Sequence, residues 1–177
     1  NAGDWDSTRD ITVVSREDGS GTRGAFIELF GIQEEVDGEK VDMTTEEANI
    51  TNSTSVMMST VAQDEYSIGY ISLGSLDDTV KALKIDGTEA TADNIKAGTY
   101  KISRPFNIAV KEGLSDAAQD FVNFILSTEG QEVVADNKYI PLDDTQAYAS
   151  NGASGKVVVA GSSSVSPVME KLKEAYA

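Results

Sequence analysis

The segment Arg16-Glu-Asp-Gly-Ser-Gly-Thr22 sets one guanidinium beside a run of small residues, a combination suited to holding a tetrahedral oxyanion. Arg16 offers a full positive charge and a planar fork of donors. Ser20 can cap a helix, leaving the amides near Gly21 and Thr22 directed into the loop, where the helix macrodipole adds partial positive charge. The elements that must position this loop lie on either side of it. Ile11 to Val14 predicts a short buried strand, and Ala25, Phe26, Leu29 and Phe30 recur at helical spacing until Gly31 ends the helix. The other reading of Arg16 beside Asp18 is a surface ion pair, the default for charged loop residues. The Gly-Ser-Gly-Thr helix start favours the anion site.

Further along, strands and helices alternate, which predicts an α/β fold. Thr51 to Ala62 reads as a helix behind Ser53 and Thr54, with Met57 and Met58 as core filler or its edge. Ile68 to Leu73 and Thr79 to Ile85 read as strands, the second closed by the Asp86-Gly87 turn. Thr91 to Ala97 reads as a short helix capped by Thr91 and stopped by Gly98. Ile102 to Val110 is extended around Pro105, which suits a crossing strand between lobes, with Arg104 tying that strand in preference to a direct ligand role. Two helices follow, Ser115 to Leu126 and Thr128 to Ala135, and residues 143–155 lack periodicity and read as a linker. Val157 to Ala160 then predicts a strand, and Ser166-Pro167 a cap with proline at the first helical position. Trp5 is expected to pack near the first strand, and Asn1-Ala2 is given no role.

Composition excludes several chemistries. The 177 residues carry 14 Lys and Arg against 30 Asp and Glu, a formal charge of -16, with no basic stripe to follow a nucleic acid or an anionic membrane. That charge does not forbid an anion ligand. Over a Debye length of about 8 Å at physiological salt, distant carboxylates are muted while Arg16 and the loop amides act at contact. The chain holds no histidine and no cysteine, so it cannot build a Ser-His-Asp triad or a disulfide, and a zinc site is disfavoured. Gly155-Lys156 is not a P-loop, since Ser150 stands where the first glycine belongs and valine follows the lysine. No apolar run approaches the ~20 residues that cross a bilayer.

Beyond these physical readings, Arg16-Glu-Asp-Gly-Ser-Gly-Thr22 resembles the signature of the phosphate-binding proteins that feed ABC phosphate importers. Ser67-Ile-Gly-Tyr-Ile-Ser-Leu73, Ile102-Ser-Arg-Pro-Phe106, Phe121-Val-Asn-Phe-Ile-Leu-Ser127 with Glu129-Gly-Gln131, and Tyr139-Ile-Pro-Leu142 resemble the same family in the same order. The resemblance implies a periplasmic-binding-protein-like lobe, a mixed sheet flanked by helices, plus an incomplete second lobe. It implies that Arg16, Ser20, Gly21 and Thr22 contact phosphate and that Asp18 holds the arginine in place. No cofactor and no catalysis are implied. The implied partners are inorganic phosphate and the permease subunits of an ABC transporter. The implied location is extracellular, attached to the membrane through a lipoprotein anchor or secretion signal on a parent chain.

The tail is out of order for this family. Lys156-Val-Val-Val-Ala-Gly-Ser-Ser-Ser-Val-Ser-Pro-Val-Met-Glu-Lys-Leu172 resembles the family's amino terminus, yet it follows the segment that closes the domain. Circular permutation and a cut from a tandem pair both explain this, and the cut is favoured because the stretch the family places between that opening and the arginine loop is absent. The expected organisation is a ligand-binding lobe at 3–104, carboxy-terminal helices of a partner lobe at 105–142, a linker at 143–155, and the opening of a following lobe at 156–177. In the family the opening loop lies across the cleft from the arginine loop, so Ser164, Val165 and Ser166 are implied to face the ligand. Residues 156–177 are expected to dock beside the helices of 115–135, in the same molecule or, by exchange, in a second copy. The alternatives are a binder of another tetrahedral oxyanion, a surface module without a small ligand, and a hydrolase hidden behind the fold.

Overall fold

The computed structural model describes residue 6 and residues 8–177, so the readings for Asn1, Ala2 and Trp5 lie outside the described residues. The chain divides into two compact units, Asn1–Ala82 and Leu83–Ala177.

In the first unit, β1 (Thr12–Arg16) is the central strand of a parallel sheet, flanked by β4 (Asn49–Thr51) and β5 (Ser67–Ile68). A central parallel strand is covered on both faces, which is why Val14, Ser15 and Arg16 are all buried. The strand starts and ends later than the apolar pattern suggested. Register with β4 pairs Val14 with Asn49 and Arg16 with Thr51, so ladder pairing carries the strand through Ser15 and makes the arginine its last residue. Helix α1 (Gly21–Leu29) follows, and Gly31 turns the chain away at φ 66°.

Between α1 and β4 stands an antiparallel hairpin that the sequence reading missed, β2 (Gln33–Val36) with β3 (Glu39–Asp42). Its turn is Asp37-Gly38, both at positive φ (54° and 84°), as a two-residue hairpin turn of the mirror-image type requires. Helix α2 (Thr54–Gln63) is capped by Ser53, whose Oγ accepts from the Val56 amide, and it buries Met57. Gly69 is required where α2 meets the chain leaving β5, because a Cβ there would lie 2.5 Å from the Met57 sulfur.

Two strand readings need correction. Ile68 to Leu73 shortens to the two residues of β5, and the chain then turns through a 3-10 segment at Leu73–Ser75. Thr79 to Ile85 is not a strand; only an isolated bridge joins Ile85 to Thr88 around the Asp86-Gly87 turn. Alternating residue types supply a face, but Leu83 stays exposed and no ladder forms there.

The second unit is helical: α3 (Ala92–Lys96), α4 (Asp116–Ile125), α5 (Thr128–Asp136) and α6 (Ser166–Tyr176). Thr91, Ser115 and Ser127 cap the first three, each accepting a backbone N–H three residues on. Helix α6 packs against α4 and α5, so the tail docks beside the helices of 115–135 within the same chain. The shared core is Phe121, Phe124, Ile125, Tyr139, Val168 and Leu172. The expected strand at Val157 to Ala160 is absent. Without a partner strand Val158 and Val159 lie exposed, at 79% and 51%, while Val157 packs against the helical core. Helix α6 also starts one residue earlier than expected. Val165 is its cap position, Ser166 its first residue and Pro167 its second.

The segment 143–155 has no helix or strand, yet a buried carboxylate ties it down. Asp120 of α4 is 1% exposed and accepts from Tyr148 Oη (2.5 Å), Ser150 Oγ (3.1 Å), the Asn151 amide (2.7 Å) and Tyr176 Oη (2.8 Å). The Tyr148 hydroxyl, then the Asn151 amide, then the other donors hold the carboxyl down at about 2, while the same bond to Asp120 pushes Tyr176 up to about 12. Among the described residues no helix is long and apolar enough to cross a membrane.

Two outcomes follow for this unit. Leu172→Ala, which empties a site 2% exposed, is expected to cost about 2–5 kcal/mol in urea denaturation. Because the folded Asp120 carboxyl titrates below its ordinary value of 3.8, its contribution is present above that value and lost as pH falls through about 2. Denaturation midpoints measured from pH 5 to pH 2 should therefore fall steeply in the parent chain and less steeply in Asp120→Asn.

Candidate anion site

The loop from Glu17 to Ser20 joins a parallel strand to a helix at the strand's carboxyl end, the position where open α/β sheets hold their ligands. The Ser20 amide donates to the Glu17 carbonyl (3.2 Å), closing the loop in a single turn, and Gly19 supplies the positive φ of 78° that the turn needs. Ser20 is the cap, its Oγ accepting from the Arg23 amide (3.3 Å). Gly21 and Thr22 are the first helical residues, half-buried in the opening turn of α1.

Arg16 ends the strand 2% exposed, and a buried guanidinium must be compensated. Glu17 does this in bidentate fashion, with Arg16 Nε donating to Oε2 (2.9 Å) and Nη2 to Oε1 (3.0 Å). Nε also donates to the Thr51 carbonyl (3.3 Å) at the end of β4. The hydrogen bond from Arg16 draws the Glu17 carboxyl below its ordinary value, so Glu17 is ionised at neutral pH. Tyr70 fixes the backbone beneath. Its hydroxyl accepts from the Arg16 amide (3.1 Å) and shares a hydrogen bond with Ser15 Oγ (2.8 Å), while its ring stacks on Phe26 of α1 at 4.0 Å.

Arg23 ties the loop from the helix side. Its Nη1 donates to the Arg16 carbonyl (2.8 Å) and lies 2.9 Å from Asp18 Oδ1, and its Nε donates to Asp42 Oδ2 (2.7 Å) at the end of β3. Burial pushes the Asp42 carboxyl up, but hydrogen bonds from Thr44 and Arg23 outweigh it and leave it below the ordinary value. Asp18, expected to hold Arg16, is thus seen paired with Arg23, its side chain 97% exposed.

Of the expected site residues, Arg16, Asp18, Ser20, Gly21 and Thr22 are gathered at this loop of the first unit. Ser164, Val165 and Ser166 belong to the second. There the Ser164 carbonyl accepts from Tyr139 Oη (2.7 Å), its amide donates to Ser162 Oγ (3.3 Å), and Val165 and Ser166 open α6. Sequence reasoning missed Glu17, Arg23, Asp42, Thr51 and Tyr70. Arg23 carried a signal, since it falls one turn into the helix and faces back to the loop; Asp42 and Thr51 carried none, being brought in by strand pairing.

A parallel βα unit with an arginine-centred loop at its strand end places the first unit in the α/β class. Residues 2–129 match the model of the PBP superfamily domain, and the chain belongs to that superfamily. It is 63% identical over 168 residues to the phosphate-binding protein PstS 2 of Streptococcus agalactiae serotype V, covering 94% of this chain and 57% of that protein. To PstS 2 of Streptococcus pneumoniae serotype 4 it is 52% identical over 167 residues, with the same coverage. The chain thus spans little more than half the length of these curated relatives. Among solved structures, the phosphate-binding protein of a phosphate ABC transporter from Streptococcus pneumoniae TIGR4 superposes with a TM-score of 0.78 at 51% identity, covering 95% of this chain and 66% of that one. A phosphate ABC transporter substrate-binding protein from Clostridium perfringens, solved with bound phosphate, gives 0.67 at 43% identity, covering 75% and 52%.

Arg23 joins the loop to α1 and to the end of β3. Arg23→Met should remove the Arg23 donor from Asp42 Oδ2 and from the Arg16 carbonyl, leaving Asp42 its bonds from Thr44, and cost about 1–3 kcal/mol. Amide hydrogen exchange at Gly21 to Gly24 should accelerate in that variant, while exchange in α4 stays unchanged.

Proposed function

We propose that this chain is part of an extracytoplasmic solute-binding protein that holds inorganic phosphate at Arg16 and the amino-terminal amides of α1 and delivers it to an ABC importer. The observation that carries this reading is the guanidinium at the end of β1 beside the capped start of α1, in a chain whose relatives are named phosphate-binding proteins. Arg16, Ser20, Gly21 and Thr22 are the proposed phosphate contacts, with Asp18 supporting the loop. Ser164, Val165 and Ser166 are proposed as a second ligand-facing loop on the strength of the sequence resemblance. A tetrahedral ligand suits these parts, because amides and a planar fork distribute several donors over several oxygens.

The work of such a protein is binding and presentation, and none of its proposed residues is asked to make or break a bond. The proposed organisation is a ligand-binding lobe at 3–104, partner-lobe helices at 105–142, a linker at 143–155 and the opening of a further lobe at 156–177. The proposed location is outside the cell, held to the membrane by a lipid anchor on the parent protein. Exchange of residues 156–177 between copies would use the surface of α4 and α5 that α6 covers here.

Calorimetric titration with inorganic phosphate tests the reading. Arg16→Ala should abolish the binding heat, and unchanged affinity would refute the assignment. Competition among phosphate, sulfate and molybdate separates a phosphate receptor from a binder of another tetrahedral oxyanion.

A further inference from the structure

The charges around the loop do not favour an anion as strongly as one arginine suggests. Among the described residues, two cations, Arg16 and Arg23, stand against three carboxylates, Glu17, Asp18 and Asp42. Asp18 and Asp42 are directed to Arg23, whereas Glu17 lies along one edge of the Arg16 guanidinium through two hydrogen bonds. This carboxylate does to Arg16 what an oxyanion ligand does, presenting two oxygens to two parallel N–H groups. Its side chain is 38% exposed while Arg16 is 2% exposed, so the carboxylate beside the buried cation is itself in reach of solvent and its ions. An incoming anion therefore meets a guanidinium whose charge is already offset at about 3 Å, and the repulsion from Glu17 grows with the charge of the ligand.

We propose that Glu17 is an affinity- and specificity-determining residue of the anion site, an internal carboxylate that shares Arg16 with the ligand and weakens binding of multiply charged anions. The proposal rests on the reading of Arg16 as a phosphate contact. It assigns Glu17 a role that opposes binding, where a merely structural clamp would support it. Repulsion at a half-exposed carboxylate is screened by salt, which gives the proposal a signature independent of the fold.

The test is titration of the chain and of Glu17→Gln with inorganic phosphate at pH 8, at low and at high salt, with thermal melting to verify folding. Glu17→Gln should bind phosphate about tenfold more tightly at low salt, the size expected of one half-exposed charge, and the gap should shrink as salt rises. Sulfate affinity should rise in the same variant. Glu17→Ala serves as a second variant, since it removes the charge without offering an amide to Arg16. Equal or weaker phosphate binding by both variants, with binding by the parent chain intact and lost in Arg16→Ala, overturns this proposal and leaves the phosphate reading standing. No phosphate binding by any of them overturns both.

Discussion

A guanidinium almost wholly removed from water is the constraint to which the first unit is built. Burying an unpaired cation is far more costly than any single contact in a small lobe can offset, so Arg16 requires compensation from every side. The carboxylate of Glu17 and the carbonyl of Thr51 supply it for the side chain, and the Tyr70 hydroxyl and the Arg23 fork engage the amide and carbonyl of the same residue. Four separate segments of chain thus meet at one residue. Because the sheet is parallel, β1 and β4 end side by side, and each runs into a helix capped by serine, Ser20 for α1 and Ser53 for α2. Strand direction, helix capping and the arginine's position are therefore one arrangement seen at three scales.

The second unit solves the opposite problem. Its buried charge is a carboxylate, Asp120, and its compensation comes from neutral donors: two phenols, a serine hydroxyl and a backbone amide. Those donors come from α6 and from a segment without regular structure, so the acid does for that segment what a ladder of hydrogen bonds does for a strand. The aromatic cluster of Phe121, Phe124, Tyr148 and Tyr176 surrounds this polar knot and gives it a dry setting in which hydrogen bonds are strong.

What was legible in the sequence was local. Serine and threonine caps at Ser20, Ser53 and Thr91 marked helix starts because the cap bond lies within three residues of the cap itself, whereas the caps Ser115 and Ser127 emerged only in the structure. The apolar spacing of α4 and the glycine after α1 were legible for the same reason. Strands were read poorly because a strand exists only with a partner. Val157 to Ala160 carries a strong β pattern and forms no strand, whereas Asn49–Thr51 carries a weak one and pairs with β1. The hairpin at Asp37-Gly38 has a local signal in its Asp-Gly turn, but its strands Gln33–Val36 and Glu39–Asp42 are too polar to show an apolar alternation. At the site, Arg16 and its Gly/Ser loop were legible by residue type. Glu17 was hidden in plain view beside them, since adjacency in sequence does not reveal that a side chain folds back on its neighbour.

The central claim is that a tetrahedral anion engages Arg16 and the first amides of α1 together. Its most direct measurement is a two-dimensional proton–nitrogen resonance titration of the chain with inorganic phosphate. Saturable shifts at the Gly21 and Thr22 amides and at the Arg16 Nε–H, with one common affinity, are the predicted result. Shifts confined to other residues, with these three signals unmoved at saturation, would contradict it.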